Sequence, residues 1–102
     1  MTRNRIYQCT DASGGATLVA PATSAEAYTC SQILIHNKSA TLQEFIIYIN
    51  EVQVYKYSIP AEQTFTVDGV ITLYGASDAI QLSATTSDMT FTASGIYTNT
   101  DI

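Results

Sequence analysis

Few side chains in this sequence could cut, chelate or cross-link, and their spacing limits what each could do. His36 is the single histidine. As a general base it would need a nucleophile and an orienting carboxylate, and a serine hydrolase of the elbow type sets its nucleophile in a GxSxG turn. No such turn occurs, so His36 reads as the end of a strand. Asp68, Asp78 and Asp88 recur every ten residues. Carboxylates from neighbouring loops do hold Ca²⁺, yet there is no DxDxDG run here. Each Asp lies in a turn, where its side chain bonds its own backbone. P-loop, GxGxxG and HExxH patterns are absent. The expectation is a protein without enzymatic activity, metal or cofactor.

Cys9 and Cys30, twenty-one positions apart, match neither zinc-ligand spacing nor a redox CxxC pair. In a reducing cytosol they would be two semi-buried thiols. In an oxidising medium they could close an intrachain or an intersubunit disulfide.

The remaining chemistry is adhesive. The stretch "FIIYINEVQVYKYS", residues 45–58, concentrates apolar bulk and three tyrosines around almost no charge. Tyrosine combines a large rigid ring with a hydroxyl and is enriched where proteins meet. With Asn50-Glu51 as a two-residue turn, Ile49 pairs Val52, Tyr48 pairs Gln53, Ile47 pairs Val54, Ile46 pairs Tyr55 and Phe45 pairs Lys56. One face then carries Phe45, Ile47, Ile49, Val52 and Val54, which reads as core. The other carries Ile46, Tyr48, Gln53, Tyr55 and Tyr57, the candidate interface. A plain sandwich exterior is the competing reading of that face, since Tyr is a good strand former.

The elements that must position these residues are strands. No helical periodicity of any length occurs, whereas alternation and turn signals recur. Strands are expected at Arg5–Cys9, Thr17–Ala20, Tyr28–His36, through the hairpin at 45–58, then at Gln63–Val67, Val70–Tyr74, Ala79–Ala84 and Met89–Tyr97. Asp11–Gly15, Asn37–Ala40, Gly75–Asp78 and Thr85–Asp88 read as connections. Pro21 and Pro60 end strands by removing a ladder donor. Asp68-Gly69 predicts a second hairpin with a type I′ turn. Eight or nine short strands at this spacing predict an all-β protein, an antiparallel β-sandwich of jelly-roll type.

Composition narrows the partners. The 102 residues predict one domain, 1–102, with 1–4 and 98–102 as tails. Charged residues make up 13%, against roughly 25% in an average domain. Uncharged polar residues fill the gap, and burying Thr or Gln against a neighbour costs less than burying Lys or Glu. Net charge is −5 and the isoelectric point near 4.4. That argues against direct nucleic-acid binding, which needs clustered Lys and Arg. No apolar run reaches the ~20 residues of a membrane span, and no h-region follows the first residues, so no membrane partner is expected and synthesis in the cytosol is.

At this point a resemblance bears on function. "ILIHNKSATLQEFIIYIN" followed by "YSIPAEQTFTVDGVITLYGASDAIQLSATTSDMTFTASGIY", with "TLVAP" before them, resembles small accessory structural proteins of tailed bacteriophages over about residues 16–97. The resemblance implies a β-sandwich that assembles into a virion and catalyses nothing. It implies a capsid decoration or cement protein, with neck, tail or baseplate components as the alternative. Its partners would be the major capsid protein or neck and tail proteins. A homo-oligomer is expected from symmetry, a trimer among the forms allowed, in a virion made in the host cytoplasm. Two other classes stay open: a carbohydrate-binding β-sandwich module, which predicts a cleft with Tyr beside Asp, Asn or Gln, and a pilus-like subunit.

Overall fold

The computed structural model describes residues 1–100, and within them the chain forms eight strands and no helix. The strands are β1 (Thr2–Cys9), β2 (Ala16–Val19), β3 (Glu26–Asn37), β4 (Gln43–Ile49), β5 (Val52–Ile59), β6 (Thr64–Tyr74), β7 (Ile80–Ala84) and β8 (Met89–Asn99). They make two antiparallel four-stranded sheets, ordered β1-β8-β3-β6 and β2-β7-β4-β5. Apart from the β4–β5 hairpin, consecutive strands cross from one sheet to the other, the winding of a jelly roll.

Alternation explains the layers. In β4, Phe45 and Ile47 point into the sandwich; in β8, Met89, Phe91 and Ala93 do; in β7, Ile80 and Leu82 do, all essentially buried. Each buried Ile, Leu or Phe contributes about 1.5–3 kcal/mol relative to exposure. Phe45 is a hub, with ring centroids 6.0 Å from Phe91 and from Tyr55 and 6.2 Å from Phe65.

Four expectations are corrected. First, Asp68-Gly69 is not a turn. β6 runs through it, and both its halves pair with β3. A type I′ turn needs positive φ at both central residues, and only Gly69 has it (φ 148°). Strand count is therefore eight. Second, Asn50 and Glu51 do form the hairpin turn, both with positive φ (52° and 68°), but the register holds only for Ile49↔Val52 and Tyr48↔Gln53. Val54 is then an unpaired bulge residue, and Ile47 faces Tyr55, Ile46 faces Lys56, Phe45 faces Tyr57. Third, Val52 and Val54 are not core: they are 65% and 50% exposed. Fourth, residues 2–4 and 98–99 are not tails, since Thr2 pairs Thr98 and Asn4 pairs Ile96; residues 101–102 of the second expected tail lie outside the described residues.

A crease crosses the larger sheet. Where Cys30 faces Gly95 and Gln32 faces Ser94, β3 holds one extra residue, Ser31. Where the same Cys30 and Gln32 face Ile71 and Asp68, β6 holds one more again, across Gly69-Val70. From β8 through β3 to β6 each strand is thus a residue longer, and such bulges bend a sheet. Gly95 is required at the crease: a Cβ there would run into the Thr29 carbonyl oxygen and lie 2.9 Å from Cys30 Cα.

Candidate contact surfaces

The residues with potential chemistry are dispersed. His36 Nδ1 shares a hydrogen bond with Thr64 Oγ1 at 2.8 Å on the outside of the larger sheet. Asp68 accepts from Gln32 Nε2 at 3.3 Å within that sheet. Asp78 accepts from Tyr74 N at 2.8 Å and Asn50 Nδ2 at 3.0 Å, and these donors, the backbone one foremost, hold its carboxyl below the usual range. Asp88 belongs to the loop before β8, where Thr86 Oγ1 accepts from its backbone N–H. Among the described residues no three His, Cys, Asp or Glu side chains gather as a metal site.

Cys9 and Cys30 are free thiols. Cys9 faces Phe91 and Cys30 faces Gly95 on opposite sides of β8. Four residues of strand and two strand spacings put them on the order of 15 Å apart, against a limit near 7 Å between bridged Cα atoms. The intrachain disulfide is therefore set aside. Burial pushes the Cys30 thiol up, away from the reactive thiolate.

The candidate tyrosine face is split by the Val54 bulge. Ile46, Tyr48 and Gln53 stay on the outside of the smaller sheet. Tyr55 and Tyr57 turn to the inner side, where Tyr55 packs against the core and Tyr57 stacks on Phe65 with centroids 4.4 Å apart. They join β5 to β6 across one open side of the sandwich. Further along that side, between the bulges at Val54 and at Gly69-Val70, the sheets part and leave an apolar slot of about 230 Å³ over Ile33, Ile47 and Ile71.

Two broad surfaces remain. The outside of β1-β8-β3-β6 presents Thr2, Asn4, Ile6 and Gln8; Thr90, Thr92, Ser94, Ile96 and Thr98; Thr29, Gln32, Leu34 and His36; and Thr64, Thr66, Asp68 and Thr72. Its hydroxyls and amides pair across strands, as in Gln8 with Thr92 and Thr29 with Thr72. Asp68 is the one among these residues with a formal charge at neutral pH. Ile6 and Ile96, 65% and 47% exposed, flank a shallow depression over the crease at Ser31 and Gly95. The sequence carried a signal for this face in the alternating threonines of "TFTV" and "MTFT", but not which strands lie side by side.

The outside of β2-β7-β4-β5 is different. A cross-strand row runs Thr17, Gln81, Tyr48, Gln53, beside a second row of Ser83, Ile46 and Lys56. Lys56 is 3.7 Å from Glu44. An open groove of about 540 Å³ lies over Thr17, Gln81, Ser83 and Tyr48, walled by Gly14-Gly15 at one end and Glu51 at the other.

No protein-family model matches the chain. No curated protein sequence matches it either. Solved structures do resemble its fold. A chain in the acid-stable capsid of Helicobacter pylori bacteriophage KHP30 superposes with a TM-score of 0.58 at 9% identity, covering 95% of this chain and 86% of that one. A chain of the virus-like particle of extra small virus from the prawn Macrobrachium rosenbergii gives 0.56 at 10% identity, over 95% and 77%. The Podospora anserina GH26-CBM35 mannanase gives 0.52 at 14% identity, over 95% of this chain and 28% of that one. Such identities establish a shared β-sandwich, and nothing finer.

Proposed function

We propose that this chain is a non-enzymatic structural protein of a bacteriophage virion, a capsid decoration or cement protein that docks through the outside of β1-β8-β3-β6. The observation that carries the reading is the near-absence of charge on that face, with Ile6 and Ile96 exposed at its crease. A face of Thr, Ser and Ile can be buried against another subunit without the desolvation cost of Lys or Glu. The exposed isoleucines supply apolar area, and such patches mark contact sites. A chain of the KHP30 capsid shares the sandwich over 95% of this chain and 86% of that one, which supports a place in a virion.

The mechanism is mass action. A protein that binds only the assembled lattice stabilises it by its binding free energy. Many copies multiply a modest contact through avidity. A place at the neck, tail or baseplate would use the same face against a different neighbour.

The test starts with mass spectrometry of virions purified from the source, in which the chain should be found. Ile6→Lys with Ile96→Lys should then leave the isolated protein folded, by circular dichroism and melting, and remove it from particles. Ser83→Lys, on the opposite sheet, should be incorporated normally. Absence of the chain from virions, or incorporation of the double variant at the native copy number, would overturn the reading.

A further inference from the structure

We infer that the groove on the opposite sheet, over Thr17, Gln81, Ser83 and Tyr48, binds a neutral oligosaccharide. The groups on offer define the ligand. Tyr48 contributes a half-buried ring with its hydroxyl, Thr17 and Ser83 contribute hydroxyls, and Glu51 a carboxylate, and none of these four side chains is engaged by another side chain or a backbone group of the described residues. Gln81 is already oriented: its Oε1 accepts from the Glu51 backbone N–H at 3.0 Å, which leaves its amide NH₂ to donate into the groove.

The ring, hydroxyls, amide and single acceptor carboxylate match a sugar. Its C–H face packs on an aromatic ring while its hydroxyls both donate and accept. Anionic ligands fit poorly. No Lys or Arg lines the groove, and Lys56, on the neighbouring row, is paired with Glu44. Glu51 would repel a phosphate, a sulfate or a sialic acid. A wholly apolar ligand fits poorly too, because it would leave the Thr17 and Ser83 hydroxyls, the Gln81 amide and the Glu51 carboxylate without partners.

The shape is suitable. The volume, about 540 Å³, lies within the range of small-ligand sites. The Gly14-Gly15 wall has positive φ at both residues (82° and 99°), and its missing side chains let a ligand approach the backbone. The floor is rigid, since Thr17, Gln81 and Tyr48 project from three adjacent strands. The groove and the proposed docking face lie on opposite sides of the sandwich, so a subunit could be anchored by one sheet and display the other.

The experiment is a ¹⁵N–¹H titration of the isolated protein with neutral manno-, xylo-, cello- and malto-oligosaccharides, and with a sialylated one for comparison. At least one neutral series should shift the amides of Thr17, Tyr48, Gln81 and Ser83, with Kd on the order of mM or tighter. Tyr48→Ala should weaken that binding about tenfold or more, whereas Ile6→Lys with Ile96→Lys should leave it unchanged. Absence of shifts with every neutral series, shifts centred elsewhere, or tighter binding of the sialylated glycan would overturn the inference. Each outcome is read on the isolated chain, so it is independent of whether the protein is found in virions.

Discussion

Asn37 is the one polar side chain wholly buried among the described residues, and every bond it can make inside is made. Its Nδ2 donates to the carbonyls of Thr41 and Ile59 at 2.9 Å and Pro60 at 3.3 Å. Its Oδ1 accepts from Ser39 N at 3.0 Å and Ser39 Oγ at 2.7 Å. One side chain thus holds the loop after β3 against the end of β5. Asn37→Asp keeps the shape and replaces the donor by an acceptor facing carbonyl oxygens. The expected cost at neutral pH is roughly 3 kcal/mol, because the carbonyls of Thr41, Ile59 and Pro60 lose their donor and face a buried charge that only Ser39 still serves. The introduced carboxyl would have a folded-state pKa raised above its unfolded value. Stability lost at neutral pH is therefore partly regained as pH falls through the folded pKa, when a protonated carboxyl again supplies one donor. Urea unfolding at a series of pH values checks this. A variant equal to the parent at pH 7, or one that worsens relative to the parent on acidification, would contradict the account.

At the scale of the element, the β4–β5 hairpin is held by its turn. Asn50 tolerates the left-handed backbone and is also committed, bonding Asp78 and Ala79 through its side chain. Glu51 has φ 68° and no such compensation, since only its backbone N–H is used, by Gln81. Left-handed backbone costs a non-glycine residue about 1–2 kcal/mol, and glycine gives back about half of that in chain entropy. Glu51→Gly should therefore raise stability by roughly 0.5–1 kcal/mol, a few degrees in melting temperature. Asn50→Gly should lower it, because the two side-chain bonds that tie the turn to Asp78 and Ala79 are lost. Melting curves that rank the two variants in the opposite order would show that the turn is not held this way. This element also marks how far the sequence could be read. Turn position and inward Phe45 and Ile47 followed from period-two alternation. The bulge at Val54 did not, because Val, Tyr and Lys in a row fit either register locally. What selects it is remote: Tyr55 and Tyr57 reach Phe65 of β6, a contact between sheets. Asp68-Gly69 misled for a related reason. The dipeptide has strong turn chemistry, but pairing of both halves of β6 with β3 overrides it. Of the candidate interface, Ile46, Tyr48 and Gln53 were legible as one face, and Tyr55 and Tyr57 belonged to another. The groove over Thr17, Gln81 and Tyr48 needs strand order, which no local pattern encodes.

At the scale of the molecule, β1 and β8 come from opposite ends of the chain, with Thr2 beside Thr98, and Arg3 and Arg5 lie over the ring of Tyr97 at 5.5 and 4.6 Å. The larger sheet is complete only when these distant segments meet, so folding must meet the entropy of a very long loop closure, and jelly rolls of this kind fold in milliseconds to seconds. The finished sandwich is not uniform. β3 and β8 are paired on both sides, and Ile33, Ile35, Phe91 and Ala93 within them are buried. β5 and β6 are edges, each bulged, facing each other across the apolar slot. Local opening should begin where ladder bonds are interrupted and a void already exists, because least packing is lost there. Native-state hydrogen exchange therefore has an expected order: amides of Ile33, Ile35, Phe91 and Ala93 exchange only through global unfolding, and those of Val54, Gly69 and Val70 exchange through smaller openings at low denaturant. Filling the slot with Val67→Ile should slow exchange at Val54 and Val70 more than at Phe91. If β5 and β6 instead exchange together with β3 and β8 at every denaturant concentration, the two sheets open as one unit, and the slot is not a weak side of the sandwich.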